Sequence, residues 1–196
     1  VGLEEVALDT RRLLIELDRD LTFNAGQYMS LSVPGHAGVT RTYSMANIPT
    51  EPRVLEFQAR RTNGGLATDG WIFKDLAVGD PIDLSGPYGR FVLRIDRSEP
   101  SVLIAGGTGL APIASMIRHA LENDIDDVGH MTLDQGARTR EWMYDVELFR
   151  ALAKRLFAAH TLAGRLRAFA SVSFLTPGDP QRRSRSDHAR RHREHR

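Results

Sequence analysis

Up to about Arg94 the chain alternates apolar and polar side chains with a period of two. Leu13, Ile15 and Leu17 face one way, Met29, Leu31 and Val33 follow, and Leu55, Phe57 and Ala59 stand opposite Glu56, Gln58 and Arg60. Such alternation marks half-buried strands. The runs are separated by Asn24-Ala25-Gly26, Pro34-Gly35, Ile48-Pro49, Asn63-Gly64-Gly65, Gly79-Asp80-Pro81 and Gly86-Pro87, at spacings that suit antiparallel connections rather than crossover helices. A small all-β barrel is expected. One helical interruption is predicted at Thr68 to Leu76, where Thr68 can cap the first turn and Trp71, Ile72 and Leu76 can reach back to the barrel.

After Ser98-Glu99-Pro100 the pattern changes. Val102, Leu103, Ile104 and Ala105 form an unbroken apolar run, which predicts a strand buried on both faces, and a glycine loop follows at once. Pro112 suits a helix start, and Ile113, Met116, Ile117, Ala120 and Leu121 recur at steps of three and four, one apolar stripe. Val128 to Leu133 predicts a second strand. Met143, Val146, Phe149, Leu152 and Leu156 predict a second amphipathic helix, and Ala168 to Leu175 offers one further strand. The second part is therefore α/β, and short.

Composition narrows the chemistry. The 196 residues, 41% hydrophobic and 26% charged, fit one globular domain or two small ones and exclude a wholly disordered chain. No apolar run approaches the roughly 18 residues that cross a bilayer, and the first residues carry no export signal, so a cytoplasmic protein without a membrane partner is expected. With no cysteine the chain has no thiolate nucleophile, no thiolate zinc site and no ordinary iron–sulfur cluster of its own, so redox chemistry would need an organic cofactor. The histidines are scattered singly or sit in the arginine tail, and no metal site is expected. Residues 151–196 hold 11 Lys or Arg against 3 Asp or Glu, whereas the rest is acidic. From Gln181 onward the Arg, Ser and His composition predicts a disordered tail. No aromatic follows Phe174 to stack on bases, so no nucleic-acid partner is expected.

Three stretches carry chemistry. In Arg41-Thr42-Tyr43-Ser44, on a predicted strand, Arg41 and Tyr43 share a face: an arginine fork can hold a pyrophosphate, a tyrosine ring can lie against a flat heterocycle, and the Ser44 hydroxyl can bond its edge. Gly64-Gly65-Leu66-Ala67-Thr68 leads into the short helix, where backbone N–H groups and the Thr68 hydroxyl can converge on an anion. Gly106-Gly107-Thr108-Gly109-Leu110-Ala111-Pro112 lies between the buried strand and a helix. There, missing side chains admit a dinucleotide's phosphates, although Pro112 stands where a third glycine or alanine is usual. Gly86-Pro87-Tyr88-Gly89-Arg90 reads as a turn before the last barrel strand. Beyond the second strand, Asp134 could accept from a ribose hydroxyl, while Arg138 and Arg140 could instead hold a 2′-phosphate.

Arg41 to Ser44, Gly65 to Thr68, Gly86-Pro87-Tyr88-Gly89 and Gly106 to Pro112, four motifs in this order and spacing, resemble the ferredoxin reductase-like flavoproteins, from about Leu3 to Arg150. Gly64 to Trp71 and Gly136-Ala137-Arg138-Thr139-Arg140 look most like the reductase components of bacterial multicomponent monooxygenases of the phenol, methane, propane or toluene type. The resemblance implies an antiparallel six-stranded Greek-key FAD-binding barrel at 1–97, an incomplete Rossmann-like nicotinamide-binding α/β domain at 98–180, family-like to about residue 157, and the tail at 181–196. It implies that Arg41 binds FAD pyrophosphate, Tyr43 packs on the isoalloxazine, and Ser44 approaches the flavin nitrogen that receives hydride. Gly65 and Thr68 would hold phosphate, and Gly107, Thr108, Gly109 and Pro112 would shape the nicotinamide cleft. Thr42, Gly106 and Arg138 complete the cofactor-binding set, with Tyr43, Ser44 and Thr108 at the reacting atoms. The resemblance favours NADH over NADPH, and a ferredoxin-like [2Fe-2S] domain or protein and an oxygenase component as partners. The family's cysteine-glycine turn beside the nicotinamide is not recognisable, and the change near Phe157 to Arg-, Ala- and Ser-rich sequence is what a shifted reading frame or truncated gene would leave. The alternative reading is an FAD-binding barrel that holds flavin without turnover.

Overall fold

The computed structural model describes residues 1–94, 100–123, 131–162 and 171–175, the side chains of 155–162 and 171–175 excepted. Six antiparallel strands come first: β1 Gly2–Ala7, β2 Thr10–Glu16, β3 Tyr28–Ser32, β4 Thr40–Ser44, β5 Val54–Arg60 and β6 Leu84–Tyr88. They form two three-stranded sheets, ordered β1-β2-β5 and β4-β3-β6, which an isolated Met45–Phe57 bridge connects. The alternating residues face inward as their pattern requires: Leu13, Ile15, Met29, Leu31, Val33, Leu55, Phe57 and Ala59 form one buried core. Trp71, Ile72 and Leu76 join that core from the helical interruption, as expected.

The interruption is a π-helix, Leu66–Asp75, closed by bonds from Gly70 N to Gly65 O and from Leu76 N to Trp71 O. Its N-cap is Gly65, which offers no side chain, so the expected capping by Thr68 does not occur. The Thr68 hydroxyl oxygen accepts instead from Thr62 N at 3.1 Å, tying the helix to the loop before it. Gly86-Pro87 also departs from the expectation of a turn, because it lies inside β6 with a cis peptide bond, opposite the irregular register between Tyr28 and Ser30. Strand β1 has no clear alternation and is held by pairing with β2, from Gly2 opposite Leu14 to Ala7 opposite Thr10.

The second part is a parallel sheet ordered β7-β8-β9, with β7 Ser101–Gly106, β8 Met131–Gly136 and β9 Ser171–Leu175, and helices α1 Leu110–Glu122 and α2 Val146–Leu162. Strand-loop-helix order follows the reading. The second strand runs past the predicted Leu133 end to Gly136, its predicted start at Val128 falls among residues 124–130, outside the described set, and Met143 precedes α2 rather than joining it. Strand β7 is not buried on both faces: Val102 is 64% and Ile104 75% exposed, while Ala105 is buried. Among the described strands β7 is an edge, and only its Ala105 face meets the cluster of α1, Leu133 and Phe149. The predicted tail at 181–196 lies outside the described residues.

The polar face of β5 corrects another expectation. Glu56 and Gln58 are not solvated but 8% and 3% exposed, because the α/β part packs on them. Glu56 pairs with Arg12 Nε and Arg118 Nη1, both at 3.0 Å, and Arg12 reaches on to Asp145 at 2.5 Å. Arg118 also donates to Ala46 O at 3.1 Å, and Ser115 Oγ donates to Asn47 O at 2.6 Å. Thus β5 is one wall with two buried faces, an apolar one toward the barrel and a polar one toward α1 and the loop before α2.

Candidate functional site

Strand β4 pairs with β3 throughout, Met29 opposite Tyr43 and Leu31 opposite Arg41, which sets Arg41 and Tyr43 on one face as the sequence predicts. Arg41 is exposed and donates to Thr40 O at 2.8 Å, and among the described residues it makes no ion pair. By contrast, Arg11, Arg12, Arg53, Arg61 and Arg118 all meet carboxylates. A guanidinium fork left without an internal anion is suited to a phosphate. Tyr43 is half-buried and packs edge-on against Phe57, ring centroids 6.5 Å apart. Burial pushes its hydroxyl up to about 12, only partly offset by Arg41, so the ring is neutral at any physiological pH. Ser44 sits opposite Tyr28, whose ring lies 5.9 Å from that of Tyr88, so the Gly86 to Gly89 motif borders the same surface.

The π-helix follows β5 and packs against it. A Cβ at Gly65 would come within 2.8 Å of Thr62 O and 2.9 Å of Thr68 Oγ1, so the cradle has no room for any other residue there. Gly64 N and Gly65 N are already bonded, to Asp69 Oδ2 and Thr62 O, and only the helix N–H groups that follow, with the Thr68 hydroxyl proton, remain for an anion. Asp69 stiffens the turn: hydrogen bonds from Arg61 first, then from Gly64 N–H and Lys74, hold its carboxyl down at about 2.

The glycine loop is a tight turn, Gly107–Gly109, whose Leu110 N–H closes back on Gly107 O and Thr108 O. Gly107 has φ +54°, and a Cβ there would stand 3.1 Å from Arg60 Nη1. Gly106 and Gly109 are exposed, Thr108 half-buried, and Pro112 is buried in the first turn of α1. The two halves of the predicted set therefore lie on either side of β5: Tyr43 packs on Phe57, while Arg60 lies against the loop at Gly107 and Gln58 reaches it through Tyr144. Arg138 is exposed and sits 5.6 Å from the Trp142 ring, with Arg60 3.6 Å from the same ring. Burial and then Arg138 hold Arg60 below its ordinary value.

Sequence reasoning missed Arg60, Gln58 and Tyr144. The signal for the first two was the polar line Glu56, Gln58, Arg60, which alternation alone assigns to solvent. Tyr144 had none, since one tyrosine before a helix reads as core. Among the described residues no group of His, Asp or Glu could hold a metal ion, and no helix is long and apolar enough to cross a membrane.

Comparison with known proteins follows this division of the molecule. The oxidoreductase FAD-binding domain family matches residues 2–93, and the oxidoreductase NAD-binding domain family matches residues 103–183, past the point near 157 where the sequence reading ends the resemblance. The chain is 44% identical over 153 residues to the reductase subunit of an aromatic O-demethylase from Amycolatopsis, covering 76% of this chain and 45% of that one. It is 44% identical over 154 residues to a phenol 2-monooxygenase reductase component from Pseudomonas, covering 79% and 42%. The crystal structure of a cytochrome P450 reductase from Amycolatopsis superposes with a TM-score of 0.75 at 39% identity, covering 90% of this chain and 49% of that one. The chain thus spans less than half the length of the curated relatives it matches. It belongs to the ferredoxin reductase-like oxidoreductases, an FAD-binding domain followed by an NAD-binding one, and is similar to the reductase components of oxygenase systems.

Proposed function

We propose that this chain is the flavin- and nicotinamide-binding part of an oxygenase reductase, which accepts hydride from NADH on FAD and passes electrons to a [2Fe-2S] ferredoxin domain or protein, and so to an oxygenase component in the cytoplasm. The observation that carries the reading is the shared wall: Phe57 supports Tyr43 on one face of β5 while, on the other, Arg60 lies against Gly107 of the glycine loop and Gln58 reaches the same glycine through Tyr144. Donor and acceptor sites one strand apart are what direct transfer requires.

The residues fit the two groups. Arg41, exposed and without an ion pair among the described residues, would hold pyrophosphate, and the Gly65 to Thr68 turn would donate to the same anion. Neutral Tyr43 would offer a flat face, Ser44 would bond the ring edge, and Thr42 would keep the strand in register against Ser30. Gly106, Gly107, Thr108, Gly109 and Pro112 would form the nicotinamide cleft, with Arg138 near the adenosine end. FAD, when bound, supplies acceptance of two electrons at once and release of them singly; the chain's own residues bind, orient and exclude water, and none need move a proton. The relatives' names support oxygenase and ferredoxin partners, one of them an NAD(+) reductase component of an alkene monooxygenase system.

The exposed Val102 and Ile104 on β7 favour a second reading, in which the barrel holds flavin without turnover. Anaerobic titration of the FAD-loaded chain with NADH separates the two: stoichiometric bleaching of the flavin absorption supports the reductase, flavin that binds but stays oxidised supports the second reading, and absence of flavin binding overturns both.

A further inference from the structure

Tyr144 is 3% exposed where the loop after β8 enters α2. Its hydroxyl lies 2.8 Å from Gln58 Oε1 on β5 and 2.9 Å from Gly107 O on the glycine loop, and its carbonyl accepts from Gln135 Nε2 at 3.2 Å. A phenol has one proton, and both hydroxyl neighbours are acceptors, so only one of the two bonds can form. Gln58 Nε2 is meanwhile buried without a partner among the described residues. Half a turn of the Gln58 amide exchanges its isosteric ends: Nε2–H then donates to Tyr144 Oη, and Tyr144 O–H donates to Gly107 O. The protons are ordered in one direction, from barrel to loop.

That order matters for the loop. Gly107 is in the left-handed region, φ +54°, and offers little steric resistance to rotation of the peptide that follows it. In a planar trans peptide the Gly107 carbonyl and the Thr108 N–H point opposite ways. Gly107 O also accepts from Leu110 N–H, and Tyr144 adds the hold from the seam side: a carbonyl so held turns Thr108 N–H away from the buried seam, whereas a flipped peptide would aim it into the seam. We propose that Tyr144 is a positioning residue for the nicotinamide dinucleotide: the Gln58–Tyr144–Gly107 relay fixes the peptide so that Thr108 N–H is presented to a dinucleotide phosphate oxygen. This rests on the nicotinamide reading of the glycine loop given above.

The test compares the full-length FAD-loaded chain with Tyr144→Phe, Gln58→Leu and Asp145→Asn. The last loosens the same seam at Arg12 without touching Gly107. Affinity for NAD⁺ falls roughly tenfold in Tyr144→Phe, the scale of one misdirected hydrogen bond to a charged oxygen. Flavin content is unchanged, Gln58→Leu gives a smaller loss in the same direction, and Asp145→Asn loses stability but not NAD⁺ affinity. The Thr108 amide resonance shifts in the first two variants and stays in the third. Equal NAD⁺ affinity in wild type and Tyr144→Phe, or equal losses in all three variants, overturns the proposal. Should Tyr144→Phe not fold, Gln58→Leu decides by the same two readouts. Wild type that binds FAD but not NAD⁺ overturns the nicotinamide reading instead, and the Thr108 resonance then judges the relay alone: a shift in Tyr144→Phe supports it, and no shift ends it.

Discussion

Replacing Arg41 by alanine separates binding from folding more cleanly than any other substitution in the site. Its side chain is exposed and its described contact is one bond to the neighbouring carbonyl, so the flavin-free fold loses no ion pair and little buried area. Stability without FAD should change by no more than about 0.5 kcal/mol, the usual range for surface substitutions. Bound FAD is another matter. Each hydrogen bond from a guanidinium to a phosphate oxygen is worth about 1.5–3 kcal/mol, which converts to a loss of roughly 10- to 150-fold in affinity for one bond and more for a bidentate pair. Arg41→Lys keeps the charge without the fork and should fall between. Because the site is exposed, the gap between wild type and Arg41→Ala should narrow with added salt. The assay is quenching of FAD fluorescence on titration into stripped protein at two salt concentrations, beside thermal unfolding of the flavin-free forms. FAD affinities within twofold of one another, or a flavin-free Arg41→Ala that melts well below wild type, would refute the assignment of Arg41 to the pyrophosphate.

Other residues yield narrower expectations. Gly65→Ala places a methyl against Thr62 O and Thr68 Oγ1, at 2.8 and 2.9 Å, of which the first is backbone and the second is held by Thr62 N–H, so FAD affinity should drop at least roughly tenfold, readable in the same titration. Asp69 titrates in the fold at about 2, below the ordinary value near 3.9. Its stabilising contribution is therefore complete above about pH 4 and is lost as pH falls through about 2, and Asp69→Asn should flatten the stability profile in that window, measured by urea unfolding. Glu56→Gln leaves Arg12 and Arg118 facing a neutral amide in the seam where Glu56 is buried; partial access of the arginines to water reduces the cost to about 2 kcal/mol, checked by denaturant midpoint.

Most of this architecture can be read from periodicity, and the failures share one cause. Alternation locates β2, β3 and β5 because each has one apolar face and one barrel core to meet, and the three- and four-residue stripe locates α1 for the same reason. The same rule sends the other face of a strand to water. For β5 that inference fails at Glu56 and Gln58, since the α/β part covers them and their polarity is answered by Arg12, Arg118 and Tyr144 rather than by solvent. For β7 it fails in the opposite sense: four consecutive apolar residues argue for burial on both faces, yet Val102 and Ile104 are exposed among the described residues. Pattern reports the polarity of a face and not what lies against it.

The polar seam follows from what the site must do. An apolar joint would bury β5 as well, and breaking it would cost less, but apolar contacts slide, and a seam of directional bonds fixes one register of loop against strand. Ser115 on Asn47 O and Arg118 on Ala46 O each join α1 to a main-chain carbonyl that follows directly on β4, where Tyr43 and Ser44 stand, and Tyr144 joins Gln58 of β5 to the glycine loop at Gly107 O. The strand that orients one cofactor is thereby tied, within three residues, to the helix that opens the site of the other. A shift of the α/β part cannot occur without leaving a buried carbonyl unpaired, and that cost holds the two sites at one separation.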